Sequence, residues 1–169
     1  MLDNINQYFQ SQAQISINFV SPGDPSAWAT LSFVAGVDVP GFMSPLTPGE
    51  TVTPINNGAV PTSYVNMQFL ASLVNPNGSI LQGAIAIAEH ELTHALSMNV
   101  VQNGDVGLMA AFNPDTDLQP PSPSLQPEEI QQLQDSVCPQ GDFGGNQGPV
   151  DPPPTDVPAF VKPVRRVLI

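Results

Sequence analysis

Hydrophobic positions along the chain change their period several times, and each change predicts an element. In "QISINFV", residues 14–20, Ile15, Ile17 and Phe19 alternate with polar neighbours, the period of a strand with one buried face. Residues 2–12 ahead of it suit a helix. The run "SAWATLSFVAG", residues 26–36, fits two patterns: Trp28, Leu31 and Val34 share a side at helical spacing, while its β-branched and aromatic content suits a strand. Residues 37–62 are rich in Pro and Gly and predict irregular connections between short edge strands. "YVNMQFLASLV", residues 64–74, predicts the next strong strand, with Val65, Met67 and Phe69 alternating. Ser79 followed by Gln82 is a capping-box pattern that opens a helix. Within that helix Ile85, Ala88, Leu92, Ala95 and Leu96 form a core-facing stripe, and its end is expected near Asn99. Pro127, Glu128 and Glu129 suit the start of a short helix through residue 137, because proline loses no hydrogen bond there and acids meet the positive end of the helix dipole.

From Pro139 onward large apolar residues are few among dense Pro and Gly. The chain therefore divides into a folded domain, residues 1–138, and an extended or disordered tail, residues 139–169. With 41% hydrophobic residues in 169, a real core can be filled. Fifteen acids face three bases, and those bases, Lys162, Arg165 and Arg166, all lie in the last eight residues. A field of that sign repels phosphate backbones, which excludes nucleic acid as the expected partner. It maintains solubility and tolerates a divalent cation. Cys138 is the only cysteine, so no internal disulfide and no cysteine-rich metal cluster can form. The opening "MLDNINQYFQ" does not read as a secretory signal, and no stretch approaches the ~18 apolar residues of a membrane helix.

Both histidines of the chain lie in "HELTH", His90 and His94 with Glu91 between them. At 100° per residue, helix positions four apart differ by only about 40°, so the two imidazoles project from one face. They can reach one ion at the ~2.0–2.1 Å of a Zn–N bond. Glu91, one step round, stands beside the metal rather than on it, where it can take a proton from the attacking water.

"HELTHALSM", the loop after it, "DVGLM" and "SLQPEEIQQLQ" resemble the catalytic half of the metzincin zinc endopeptidases, closest to the matrixin branch. The resemblance covers residues 79–137, about a third of the chain. It implies an α+β fold: a small zincin-like domain with a twisted, mostly parallel sheet of short strands, an active-site helix and a C-terminal helix. By the same resemblance His90 and His94 are zinc ligands, Glu91 is the general base and Met109 the methionine of the Met-turn. The family pattern places a glycine at residue 97 and a third histidine ligand at residue 100, where this chain has Ser97 and Val100. Valine cannot bind zinc, and without the glycine the helix is expected to run a turn longer. An oxygen donor is then needed as third ligand. Asp105 is the first choice, Asn99 and Asn103 are weaker donors, Glu128 or Glu129 are distant alternatives, and two histidines completed by waters remain open.

The implied activity is that of an extracellular zinc endopeptidase acting on peptide or protein substrates, with a strand such as 64–74 binding the substrate backbone by edge pairing. Two other classes stay open: a metzincin-like binding or structural module that has lost catalysis, and a metal hydrolase of non-peptide amides.

Overall fold

The computed structural model describes residues 1–22, 24–53, 60–73, 78–97, 106–137 and 164–168. It is a mixed α+β fold built on one five-stranded sheet. Helix α1 (Leu2–Ala13) buries Ile5, Phe9 and Ala13 and ends at Gln14, whose left-handed backbone (φ 60°) turns the chain into strand β1 (Ser16–Val20). The ambiguous run is a strand, β2 (Ala29–Val34), with Ala29, Leu31 and Val34 buried and Trp28 packed against the core. Strand β3 (Gly49–Val52) arises in the Pro/Gly-rich region, as expected.

Residues 64–74 are not one strand. Strand β4 (Thr62–Asn66) stops at Asn66, and helix α2 (Met67–Ser72) begins directly after it. The Asn66 Oδ1 accepts from the backbone N–H groups of Gln68 and Phe69, both at 3.1 Å, and this side-chain cap overrides the alternation that continues through Phe69. Nor is β4 an edge. With strand β5 (Val164–Leu168) included, the sheet order is β1-β5-β2-β4-β3, so β4 pairs with parallel β2 on one side and antiparallel β3 on the other. Among the described residues, the free edge beside it belongs to β3.

Helix α3 (Ile80–Leu96) starts where the capping box placed it, with the Ser79 hydroxyl accepting from Gln82 N–H at 3.2 Å. The box is only half made: Ser79 N–H donates to the Leu118 carbonyl, and the Gln82 side chain reaches Ser122 instead. The helix ends at Leu96, earlier than expected, and not a turn later. Ser97 leaves it in an extended conformation (φ −140°), which any residue adopts, so this exit does not require glycine. Its hydroxyl lies 2.8 Å from that of Ser136 on helix α5 (Pro127–Val137), which follows the short helix α4 (Pro114–Asp117), and ties α3 and α5 together.

The last segment of the expected tail is part of the sheet. Strand β5 (Val164–Leu168) lies between β1 and β2, parallel to both, with Val167 fully buried. Five residues of strand-forming character after a long Pro/Gly-rich stretch are too few to shift a compositional reading, and only the slot between β1 and β2 reveals their use. Residues 138–163, including Cys138, lie outside the described residues.

Helix α3 packs on β2, β3 and β4, and α1 and α5 close the core around it. Leu92, Leu96, Leu133, Phe9 and Val65 are all less than 2% exposed. Among the described residues no helix is long and apolar enough to cross a membrane.

Candidate metal centre

Because α3 is held against β3 and β4, the face carrying His90 and His94 is fixed relative to the edge of the sheet. The two Nε2 atoms lie 3.2 Å apart, with the rings inclined at 71°. An ion ~2.05 Å from each nitrogen would see that separation under an angle of about 100°, close to tetrahedral, so the spacing suits one shared ion; the same 3.2 Å contact is also a hydrogen bond between the two rings. The other nitrogen of His90 is occupied: its Nδ1 lies 2.7 Å from the Leu108 carbonyl, which can only accept, so Nδ1 carries the proton and Nε2 presents its lone pair. Desolvation, opposed by that carbonyl, lowers the His90 pKa to about 4 and keeps the ring neutral, as a ligand must be.

The carbonyl that orients His90 comes from a tight turn at residues 107–110, closed by an Ala110 N–H to Gly107 carbonyl bond and anchored by Leu108 N–H on the Ser124 carbonyl. Met109 sits in this turn, fully buried. Asp105, together with Asn99, Val100 and Asn103, lies outside the described residues. Neither Glu128 nor Glu129 joins the histidines: among the described residues no three His, Cys, Asp or Glu side chains converge on one point. Glu128 is exposed, and Glu129 turns back to accept from Gln126 N–H at 2.7 Å at the start of its own helix.

Glu91 is 5% exposed and shares a cleft of about 360 Å³ with His90, His94, Gly49, Glu50 and Thr51. Burial raises its carboxyl to about 7, the Thr51 hydroxyl works against the rise, and neighbouring Glu50 adds to it. Thr51 Oγ1 lies 2.7 Å from Glu91 Oε2 and 2.8 Å from the Glu91 backbone carbonyl, and Ser63 donates to the same carbonyl at 3.0 Å. Both acceptors lie within reach of the single Thr51 hydroxyl proton, so β3 and β4 together hold the residue between the two histidines. A smaller pocket of about 60 Å³ adjoins on the other side of His90 and Glu91, walled by Ala86, Leu108, Ala110 and Phe112.

No known family, no curated protein and no solved structure matches the chain.

Thr51, Gly49 and Leu108 were not legible as site residues in the sequence, since Thr51 and Glu91 are forty positions apart. Gly49 has a specific reason to lack a side chain: a Cβ there would lie 2.6 Å from Ile87 Cγ2 and 2.8 Å from both Cγ and Oε1 of Glu91. Gly49→Ala is therefore expected to displace the Glu91 carboxylate, and a hydrolysis that depends on that carboxylate would fall about 10²-fold, the order that a 1 Å misplacement costs. Zinc affinity, if the histidine pair holds the ion, should stay within a few-fold of wild type, and steady-state kinetics beside a chelator competition would separate the two. Undiminished turnover would mean that Ile87, not Glu91, absorbs the clash.

Behind α3, burial also raises the Glu89 carboxyl from 4.5 to about 8. A folded-state pKa above the unfolded one favours folding in full below about pH 4.5, and this contribution is lost as pH rises to about 8. The urea midpoint of metal-free protein should accordingly be higher at pH 5 than at pH 8. Glu89→Gln, neutral at both, should reduce the slope and leave the part that Glu91, raised to about 7, contributes with the same sign, and an unchanged slope in that variant would assign the effect elsewhere.

Proposed function

We propose that this chain is a zinc-dependent endopeptidase of the metzincin type, acting outside the cell on peptide or protein substrates. The observation that carries the reading is the convergence of the His90 and His94 Nε2 atoms, 3.2 Å apart, beside the buried carboxylate of Glu91 at the free edge of the sheet. Zinc held by the two histidines and by a further oxygen donor, with Asp105 the first choice, would polarise a carbonyl and make a water more acidic.

The chain's own groups supply the rest. Glu91 accepts a proton from the attacking water and returns it to the departing amine, a task suited to a carboxyl whose pKa is about 7. Thr51 holds Oε2 of that carboxyl, and the Leu108 carbonyl holds the ring of His90. Met109, buried directly after Leu108, would be the Met-turn methionine that supports this arrangement from below. An extended substrate would add to the sheet along β3, whose outer edge has no neighbouring strand in the five-stranded order, with Gly49, Glu50 and Thr51 facing the cleft.

The deciding experiment loads the purified chain with zinc, measures stoichiometry with chelator competition, and assays an unbiased peptide library. One zinc per chain, lost in His94→Ala and weakened about 10–100-fold in Asp105→Ala, is expected together with internal peptide cleavage. Val100, at the position of the family's third histidine, favours a second reading in which the domain binds a partner without catalysis. Absence of stoichiometric zinc in the wild type would select it, and zinc bound without cleavage of any peptide would as well.

A further inference from the structure

Helix α3 carries a second polar stripe. Gln82, Ile85 and Glu89 recur at spacings of three and four and so share one face, while Glu89 and Glu91, two residues apart, point about 200° apart around the axis. Glu89 thus belongs to a different cavity from the histidines. That cavity, about 370 Å³, opens between α1, α3 and residues 120–124, with walls formed by Tyr8, Gln82, Ile85, Pro121 and Ser122. Glu89 lies at its base, 1% exposed, and its Oε2 has no hydrogen-bond partner. The donors around it are committed elsewhere: the Ser122 hydroxyl bonds the other carboxyl oxygen of Glu89, the Tyr8 hydroxyl donates to the Pro123 carbonyl at 2.7 Å, and Gln82 Nε2 donates to Ser122 Oγ at 2.9 Å. A buried acceptor left in this state is costly and rare in folded proteins. No lysine or arginine occurs in residues 1–161 to supply a counter-charge.

We propose that this cavity is a binding site for an organic cation, a ligand bearing an alkylammonium or alkylguanidinium group, with Glu89 Oε2 as the acceptor for its charged end. A single carboxylate at the base of a partly aliphatic cleft is a poor site for calcium, which takes six to eight oxygen ligands, commonly several of them carboxylates. It suits a cation on an alkyl stem: the charge meets Glu89, the stem lies along Ile85 and Pro121, and the amide and hydroxyl groups at the rim take the remaining donors. The site stands independently of the zinc reading, because none of its groups faces the histidine cleft.

The test titrates the full chain at pH 9, where the Glu89 carboxyl is ionised, with agmatine and with n-butylammonium, using n-butanol as the uncharged isostere and calcium chloride as the inorganic cation, followed by calorimetry and amide chemical shifts. Saturable binding of the two organic cations is expected, with shifts centred on Tyr8, Gln82 and Ser122 and none with butanol. Glu89→Gln should weaken it at least about thirtyfold, the lower bound for removing one partner of a buried charge pair. Ile85→Trp, which fills the cleft and leaves the carboxylate in place, should also abolish it, so that a fold defect in one variant does not decide the matter. Equal affinity in Glu89→Gln, shifts confined to the His90 cleft, tighter binding of calcium at the same residues, or no saturation by about 10 mM, ten times the concentration for a modest millimolar affinity, would each overturn the proposal.

Discussion

Zinc-loaded Glu91→Gln should hydrolyse peptides about 10²–10⁴-fold more slowly than the wild type, the range lost with a positioned general base, while retaining its metal. The substitution is nearly isosteric. A glutamine oxygen can still accept from Thr51 Oγ1, which lies 2.7 Å from Glu91 Oε2, and the helix backbone is still held by Ser63 and Thr51 at the residue 91 carbonyl. The fold and the separation of the two imidazoles should therefore be unchanged. What disappears is a carboxylate able to take a proton near neutral pH, which burial provides by raising Glu91 to about 7. Peptide-library cleavage measured beside zinc content checks both halves of the expectation. Hydrolysis at the wild-type rate by zinc-loaded Glu91→Gln would remove Glu91 from the mechanism, and loss of zinc would mean that the residue supports the metal rather than the proton transfer.

The second large effect is expected far from that chemistry, at Asn66. This side chain is fully buried at the junction of β4 and α2, and each of its polar atoms is used. Oδ1 accepts from Gln68 and Phe69 N–H, Nδ2 donates to the Thr47 carbonyl at 3.0 Å, and its own backbone N–H donates to the Pro48 carbonyl at 2.8 Å. Asn66→Ala removes the helix cap and takes the donor from the partly buried Thr47 carbonyl, for a combined loss of about 2–4 kcal/mol. Asn66→Asp keeps the Oδ1 acceptor, loses the donor to Thr47 and buries a charge, so it should not restore stability. Urea unfolding monitored by circular dichroism gives the comparison, and a loss below about 0.5 kcal/mol, the level of an ordinary surface substitution, would show that the cap is dispensable. Because Thr47 and Pro48 lead directly into β3, the variant should also loosen the edge that carries Gly49 and Thr51, and a drop in turnover at temperatures where the protein remains folded is expected with it.

The reach of the sequence follows from the range of the interactions involved. Helices α3 and α5 were legible because their signals are local: Ser79 caps Gln82 three residues on, and the acids of α5 sit in its first turn. The pairing of His90 with His94 was legible for the same reason, since four residues on one helix determine a shared face before any packing occurs. The misread elements are those in which a distant partner outweighed a local pattern. Alternation through Phe69 implied a longer strand, but the Asn66 cap on Gln68 and Phe69 N–H ended it, with that side chain held in place by its bond to the Thr47 carbonyl. A Pro/Gly-rich terminus implied a tail, but a slot between β1 and β2 takes Val164–Leu168 as a parallel strand. Spacing by itself determined which side chains can face a metal together. Only the tertiary structure decided which groups orient them, because Thr51 and Leu108 reach Glu91 and His90 from elements forty and eighteen residues away. It also decided that Glu89, adjacent to His90 in sequence, opens onto a separate cavity, since one helical step of 100° turns neighbouring side chains toward different walls.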